Sequence, residues 1–280
     1  MQVLKTSQEK LAIAANAKAY RSDVGATATW HIDGSGPRIL FVHGFRGDHH
    51  GLMAIAGAIN AQVTIPDLPG FGKSKELTGE HNLENYGIWL SEFANQAGSF
   101  DAVLGHSFGT LIVAAAGQHG LQLPTILLNP ITSRATEIGG LGQSLAQWFY
   151  DLGEKRPKIL ASPLLTRGMS TLLAKTADPR LRSFIHNQHD SYFSSYQSPR
   201  VVLEGFRAAS GGSVLDYQEY LNQDLLLIAG AKDMVAPLEN TIVLSERLPN
   251  SQLEVIPKVG HLTHYETPAE VAVIVERFLC

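Results

Sequence analysis

Ala102-Val103-Leu104-Gly105-His106-Ser107-Phe108-Gly109-Thr110-Leu111-Ile112-Val113-Ala114-Ala115-Ala116 is the stretch on which the fold of this chain turns. A short apolar run, a Gly-x-Ser-x-Gly pentad and an apolar helix-forming run succeed one another, the sequence form of a strand, a sharp turn and a helix. Ser107 falls at the apex, where the backbone is crowded. Gly105 and Gly109 lack a Cβ and relieve the clash on either side. The hydroxyl is then left pointing out of the sheet. The Phe108 N–H opens the helix, and the first four N–H groups of a helix have no acceptor within it. One turn therefore supplies a nucleophile and half of an oxyanion hole. The pentad alone arises by chance in many sequences; the flanking strand and helix give it meaning.

Upstream, Arg38-Ile39-Leu40-Phe41-Val42 is a near-continuous apolar strand of the kind buried on both faces of a parallel sheet. It runs into the loop His43-Gly44-Phe45-Arg46-Gly47-Asp48-His49-His50-Gly51-Leu52, which places the Phe45 N–H opposite that of Phe108 and completes the oxyanion hole. Three histidines and an aspartate in one loop raise the question of a metal. The neighbouring His49 and His50 are expected to point in divergent directions and a helix-borne ligand set is missing, so neither metal nor cofactor is expected. Residues 62–66 form a further strand, entering a Pro/Gly-rich loop at the sheet edge where open α/β sheets bind ligands. A helix is predicted over 6–19, a hairpin around Gly25 from 20–24 and 27–32, and a helix over 82–97 from apolar positions such as Leu83, Tyr86, Leu90 and Phe93. By the elbow strand, strand and helix have alternated three times, which favours a parallel sheet wrapped by helices.

Downstream, 124–130 is another buried strand, and the pattern then breaks. From 131 to about 210 there are no strand-like runs but helical stretches at 142–152, 163–175, 179–187 and 199–209, three of them opening on or near a proline. Aromatic residues concentrate there, Phe149, Tyr150, Tyr192, Phe193 and Tyr196 among them. The reading is a helical cap, 131–212, inserted between two parts of one sheet domain, 1–130 and 213–280, and placed over Ser107. The sheet resumes at 224–230 with Asp233 just beyond it, and ends with 251–256 followed by Gly260-His261. A closing helix over 268–279 carries a capping signature of Thr267, Pro268 and Glu270.

The bulk properties are those of an ordinary globular protein: 280 residues, 44% hydrophobic, 17% charged, net charge −4. An acidic balance offers no basic surface to nucleic acid or anionic membrane, and neither is expected as a partner. The sole cysteine, Cys280, excludes an intramolecular disulfide. With no signal-like or membrane-spanning run, the cytoplasm is the expected compartment.

Ser107, Asp233 and His261 follow one another in the order nucleophile, acid, histidine, each just beyond a strand. On these residues, with His43-Gly44, Asp67-Leu68-Pro69-Gly70-Phe71-Gly72, Gly230-Ala231-Lys232-Asp233 and Gly260-His261, nearly the whole chain resembles the α/β-hydrolase family, as a serine-nucleophile member with a helical cap. The resemblance implies a mostly parallel central sheet flanked by helices. It implies Ser107 as nucleophile, His261 as general base and acid, Asp233 as its orienting acid, and Phe45 and Phe108 as oxyanion donors. The chemistry asks for the same types: a serine hydroxyl needs a base with a pKa near 7, and that histidine needs a carboxylate to fix its tautomer. His264 competes with His261, but the glycine before His261 is the family-like feature. Asn129-Pro130 occupies a strand end where some relatives keep an alternative acid, and the absence of a carboxylate there favours Asp233. His106 is read as a packing and orienting residue.

Ser107 argues against dehalogenase- and epoxide-hydrolase-like chemistry, which places aspartate at that position, and against dienelactone hydrolases, which place cysteine. Leu262 stands where carbon–carbon hydrolases often carry tryptophan. The expected activity is hydrolysis of a small or medium ester, thioester or related acyl derivative. The alternatives are carbon–carbon bond hydrolysis or a cofactor-free perhydrolase on the same triad, and, in another class, a catalytically silent ligand-binding protein. The partner is a small-molecule substrate, and the candidate pocket residues are His43, Gly44, Arg46, His106, Trp148, Tyr192 and Tyr196.

Overall fold

The apolar runs at 38–42, 62–66, 102–106, 125–128 and 225–230 are the inner strands of one eight-stranded sheet in a computed structural model of the chain, which describes residues 5–134, 156, 163–193 and 195–280. In chain order the strands are β1 (Tyr20–Arg21), β2 (Thr29–Ile32), β3 (Arg38–Val42), β4 (Gln62–Pro66), β5 (Ala102–His106), β6 (Thr125–Leu128), β7 (Leu225–Gly230) and β8 (Ser251–Ile256). Across the sheet they lie β1-β2-β4-β3-β5-β6-β7-β8. The hairpin β1–β2 is antiparallel and β2 joins β4 antiparallel, whereas β4, β3, β5, β6, β7 and β8 run parallel.

Side chains alternate between the two faces of the strands, and each face builds its own core. Ile39, Phe41, Val63, Ile65, Leu104 and Ile126 face one layer with helices α1 (Ser7–Lys18) and α2 (Met53–Ala56). Leu40, Val42, Val103, Leu127, Leu225 and Leu227 face the other, with α3 (Leu83–Ala97) and α4 (Phe108–Gln118). Both faces are covered, so these strands are apolar throughout rather than alternating.

Three α-helices lie between β6 and β7 among the described residues, α5 (Pro163–Leu173), α6 (Pro179–Tyr192) and α7 (Pro199–Gly211), followed by a 3-10 helix over Val214–Tyr220. The predicted helix over 142–152, with Trp148, Phe149 and Tyr150, lies outside the described residues. After β7 come α8 (Leu238–Arg247), α9 (Thr263–Glu266) and α10 (Pro268–Leu279), the last of which packs on the same layer as α2.

One local expectation is corrected. Thr267 precedes α10 as predicted, but its side chain makes no capping bond. Its hydroxyl instead donates to the Thr263 carbonyl at 3.3 Å, because the one-turn helix α9 ends there and presents that carbonyl first.

Strand order locates the site. The chain leaves β3 for β4 on one side and crosses back to β5 on the other, so the loops after β3 and β5 part at the carboxyl edge and leave a crevice. Val42 pairs with Gly105, which brings the 43–52 loop alongside Ser107.

Candidate active site

Ser107 precedes the first residue of α4 with φ of 52° and ψ of −117°, a conformation that L-residues seldom adopt. Two close approaches hold it there. A Cβ on Gly105 would lie 2.6 Å from the Gly109 carbonyl oxygen, and a Cβ on Gly109 would strike the Val42 carbonyl of β3. The pentad's glycines thus let β5, α4 and β3 meet at a spacing that no larger residue permits. The Ser107 N–H donates to Leu128 O at 3.0 Å, and the Thr110 hydroxyl donates to Ser107 O at 2.6 Å.

Ser107 Oγ lies 2.7 Å from His261 Nε2, and His261 Nδ1 lies 2.8 Å from Asp233 Oδ2. A carboxylate can only accept, so Nδ1 carries the proton and Nε2 is left to accept from the serine. The other oxygen of Asp233 accepts from the Val235 and Ala236 N–H groups at 2.8 and 2.9 Å. Burial pushes the Asp233 carboxyl up, but His261 and the hydrogen bonds outweigh it and hold the group below the usual carboxylate range.

Asn129, which sequence reasoning treated only as a place without an acid, joins this network. Its Nδ2 donates to Asp233 Oδ2 at 2.8 Å, and its backbone sits at φ 51°. The signal was present in the Asn-Pro pair closing β6, since asparagine tolerates positive φ better than most residues.

A cavity of about 290 Å³ opens on Ser107. Leu52, Phe45, Phe108 and Val235 follow strands of the sheet, while Met169 and Leu173 come from α5, Phe193 from the end of α6 and Phe206 from α7. Of the candidate pocket residues, His43, Gly44 and His106 line it, and Arg46, Tyr192 and Tyr196 do not. Tyr192 stacks instead on His50, ring centroids 3.6 Å apart, and Arg46 lies over the Phe193 ring at 5.2 Å. Tyr196 makes an isolated bridge with Phe71. Trp148 lies outside the described residues.

Residues 39–274 match the profile of the Alpha/beta hydrolase family. The chain belongs to this family. It is 24% identical over 280 positions to 2-hydroxymuconate semialdehyde hydrolase from Pseudomonas sp. strain CF600, covering 91% of each chain. It superposes on the esterase from Exiguobacterium antarcticum with a TM-score of 0.75 at 19% identity, over 90% of this chain and 96% of the other. The bromoperoxidase from Bacillus anthracis gives the same TM-score at 18% identity, over 93% and 99%. These structural likenesses establish the shared fold, and the family makes the chain an enzyme of the hydrolase type. Among the described residues no helix is long and apolar enough to cross a membrane.

Around the reactive residues this α/β-hydrolase keeps several histidines neutral. His43 accepts from the Leu68 N–H at Nε2, 2.9 Å, so its Nδ1 carries the proton and donates to the Gly44 carbonyl, also at 2.9 Å. That bond pins the start of the 43–52 loop. His106 donates from Nε2 to the His261 carbonyl at 3.2 Å and packs against His264, ring centroids 4.0 Å apart. It therefore holds the backbone of the residue that faces Ser107. Burial, with His261 adding to it, lowers the His106 pKa to about 3. Burial likewise brings His189 to about 4 and His264 well below its ordinary value. His189 and His264 both line the cavity; sequence reasoning passed over the first and set the second aside.

These histidines make stability depend on pH with a definite sign. Unfolded, His106, His189 and His264 each take up a proton near pH 6.5; folded, each resists protonation until far lower pH. Their cost is absent above pH 6.5 and grows as pH falls below it, by about 1.4 kcal/mol per pH unit for each group. Urea unfolding followed from pH 7.5 to 5 is expected to show a steep fall in midpoint over that window. A flat profile would mean that the folded protein accommodates these protons.

The 48–50 cluster differs from the expectation of diverging rings. His49 and His50 lie with centroids 3.9 Å apart, and ligand-type atoms of Asp48, His49 and His50 fall within 4.8 Å of one another. Each imidazole is held by a carboxylate at Nδ1, His49 by Asp67 at 2.7 Å and His50 by Asp48 at 2.9 Å. The two carboxylates fix the rings and hold them in contact, with their planes tilted by 39°.

Proposed function

We propose that this chain is a serine hydrolase that cleaves a small or medium carboxylic ester, thioester or related acyl derivative through an acyl-enzyme on Ser107. The observation that carries this reading is the unbroken chain of contacts from Ser107 Oγ through His261 to Asp233, at 2.7 and 2.8 Å. In the reaction Ser107 Oγ attacks the acyl carbon as its proton passes to His261 Nε2, and Asp233 steadies the imidazolium that forms. The carbonyl oxygen, now an oxyanion, accepts from the N–H groups of Phe108 and Phe45. His261 returns the proton to the leaving group, and water repeats the sequence to free the acid. The helical stretch between β6 and β7 acts as a cap, whose Met169, Leu173, Phe193 and Phe206 give the acyl group an apolar wall. The substrate is a small molecule, and the proposed setting is the cytoplasm.

A second reading, carbon–carbon bond hydrolysis on the same residues, draws its support from the 24% likeness to 2-hydroxymuconate semialdehyde hydrolase. Fluorophosphonate labelling with peptide mapping, then p-nitrophenyl esters of rising chain length beside a 2-hydroxy-6-oxo-dienoate, separates the two. We expect one adduct, on Ser107, and turnover of esters that stops rising once the acyl chain fills the cavity. Turnover of the dienoate alone would favour the second reading. A folded protein that takes no label would overturn both and leave a ligand-binding role.

A further inference from the structure

Arg46 stands one residue after the proposed oxyanion donor Phe45 and holds φ of 62°, although it is not a glycine. A non-glycine residue persists in that region only where its surroundings over-determine it. The surroundings here come from the end of α6. The Arg46 guanidinium, on a side chain only 5% exposed, lies 5.2 Å over the ring of Phe193. The residue before it in the chain, Tyr192, stacks on His50 at 3.6 Å with the rings 9° from parallel. His50 is itself held in place: Asp48 accepts from it, His49 packs behind it at 3.9 Å with the rings tilted by 39°, and Trp30 of β2 stacks on His49 at 4.0 Å. Two consecutive residues at the end of α6 thus grip the loop at two points four residues apart, one in its turn at Arg46 and one beyond it at His50.

The Phe45 ring is held separately. It meets Phe71 and Phe108 edge-on at 5.9 Å, and a Cβ on Gly205 of α7 would come within 3.1 Å of it. Phe45 is thus tied to the helical segment twice, by its own ring against α7 and by the residue after it on Phe193.

We infer that Arg46, Tyr192 and Phe193 are positioning residues, by which the end of α6 holds the 43–50 loop so that the Phe45 N–H aims at the reacting carbonyl. This inference rests on the serine-hydrolase reading above. It also gives Tyr192 and Arg46 a role although neither lines the cavity. The coupling makes the helical segment part of the oxyanion hole's geometry and not only a wall for substrate.

The test compares Tyr192→Leu and Arg46→Ala with Tyr192→Phe and Arg46→Lys. Each is assayed for p-nitrophenyl butyrate turnover and for inhibition by phenylboronic acid, which forms a tetrahedral adduct on an activated serine. Complete loss of one oxyanion donor costs about 10²–10³ in kcat, so a misaimed donor is expected to cost roughly tenfold or more. Tyr192→Leu and Arg46→Ala should lower kcat by that factor with KM within about twofold, and boronate affinity should fall in parallel. Tyr192→Phe keeps the stack and Arg46→Lys keeps a cation over Phe193, so both should recover most of the rate. A rise in KM with kcat intact, or equal loss in Tyr192→Phe and Tyr192→Leu, would overturn the inference while leaving the serine reading in place. Wild-type protein that the fluorophosphonate does not label removes the serine reading, and this inference with it.

Discussion

Ser107→Ala is expected to lower kcat for p-nitrophenyl ester hydrolysis by about 10⁶-fold, with KM little changed. The size follows from interdependence: without Oγ the base has no proton to take, and His261 and Asp233 contribute almost nothing alone. The variant should fold, because the strained backbone at φ 52° already carries a Cβ, and alanine asks for no more room than serine. Among the described residues the hydroxyl bonds to the His261 side chain, so its loss orphans no backbone group. The two N–H groups proposed as oxyanion donors would remain, and with binding such groups support about 10³–10⁴-fold acceleration over water. Single-turnover assays on protein purified away from host esterases would measure the residue left. Activity within a hundredfold of wild type would place the nucleophile elsewhere.

Asp233→Asn is expected to lower kcat by about 10⁴-fold, the cost of presenting the histidine in the wrong tautomer. Here the structure fixes which way the new amide must turn. Val235 and Ala236 donate backbone N–H groups to Oδ1, so the amide oxygen has to take that side. The NH₂ group then falls at the Oδ2 position, facing His261 Nδ1 and the Asn129 amide. His261 would accept at Nδ1 and carry its proton on Nε2, unable to receive that of Ser107. Asn129, buried and still donating, would meet a second donor, which adds about 1–3 kcal/mol of instability. Kinetics beside a urea titration would check both parts. Full activity would mean that Asp233 does not orient His261, and unchanged stability that Asn129 relaxes freely.

The elbow was legible in sequence because everything that makes it is local. Gly105 and Gly109 are needed where two backbones touch, the strand before them is apolar because both sheet faces are covered, and the helix after them begins at once. The same holds for Asp233 and His261, each set just past a strand by the alternating pattern. Residues whose roles depend on a partner far along the chain were not legible. Tyr192 and Tyr196 were read as pocket aromatics because aromatic residues cluster there, but an aromatic ring stacks equally well on an imidazole, and only the packing of α6 against the 43–50 loop decides for Tyr192. As neighbours in a loop, His49 and His50 are expected to diverge; two carboxylates, Asp67 and Asp48, bring their rings into contact instead.

Asn129 and His106 show the same division. Each is polar at the end of a buried strand, and each finds its partner across more than a hundred residues, Asn129 on Asp233 and His106 on the His261 carbonyl. The sequence by itself determined the sheet, its carboxyl edge and the three residue types brought to that edge, because backbone hydrogen bonding and apolar periodicity act between near neighbours. Tertiary structure alone decided which imidazoles are buried, which aromatics face the cavity and which pack on the 43–50 loop. Burial and side-chain hydrogen bonding are properties of what packs around a group, and that is set by strand order across the whole sheet.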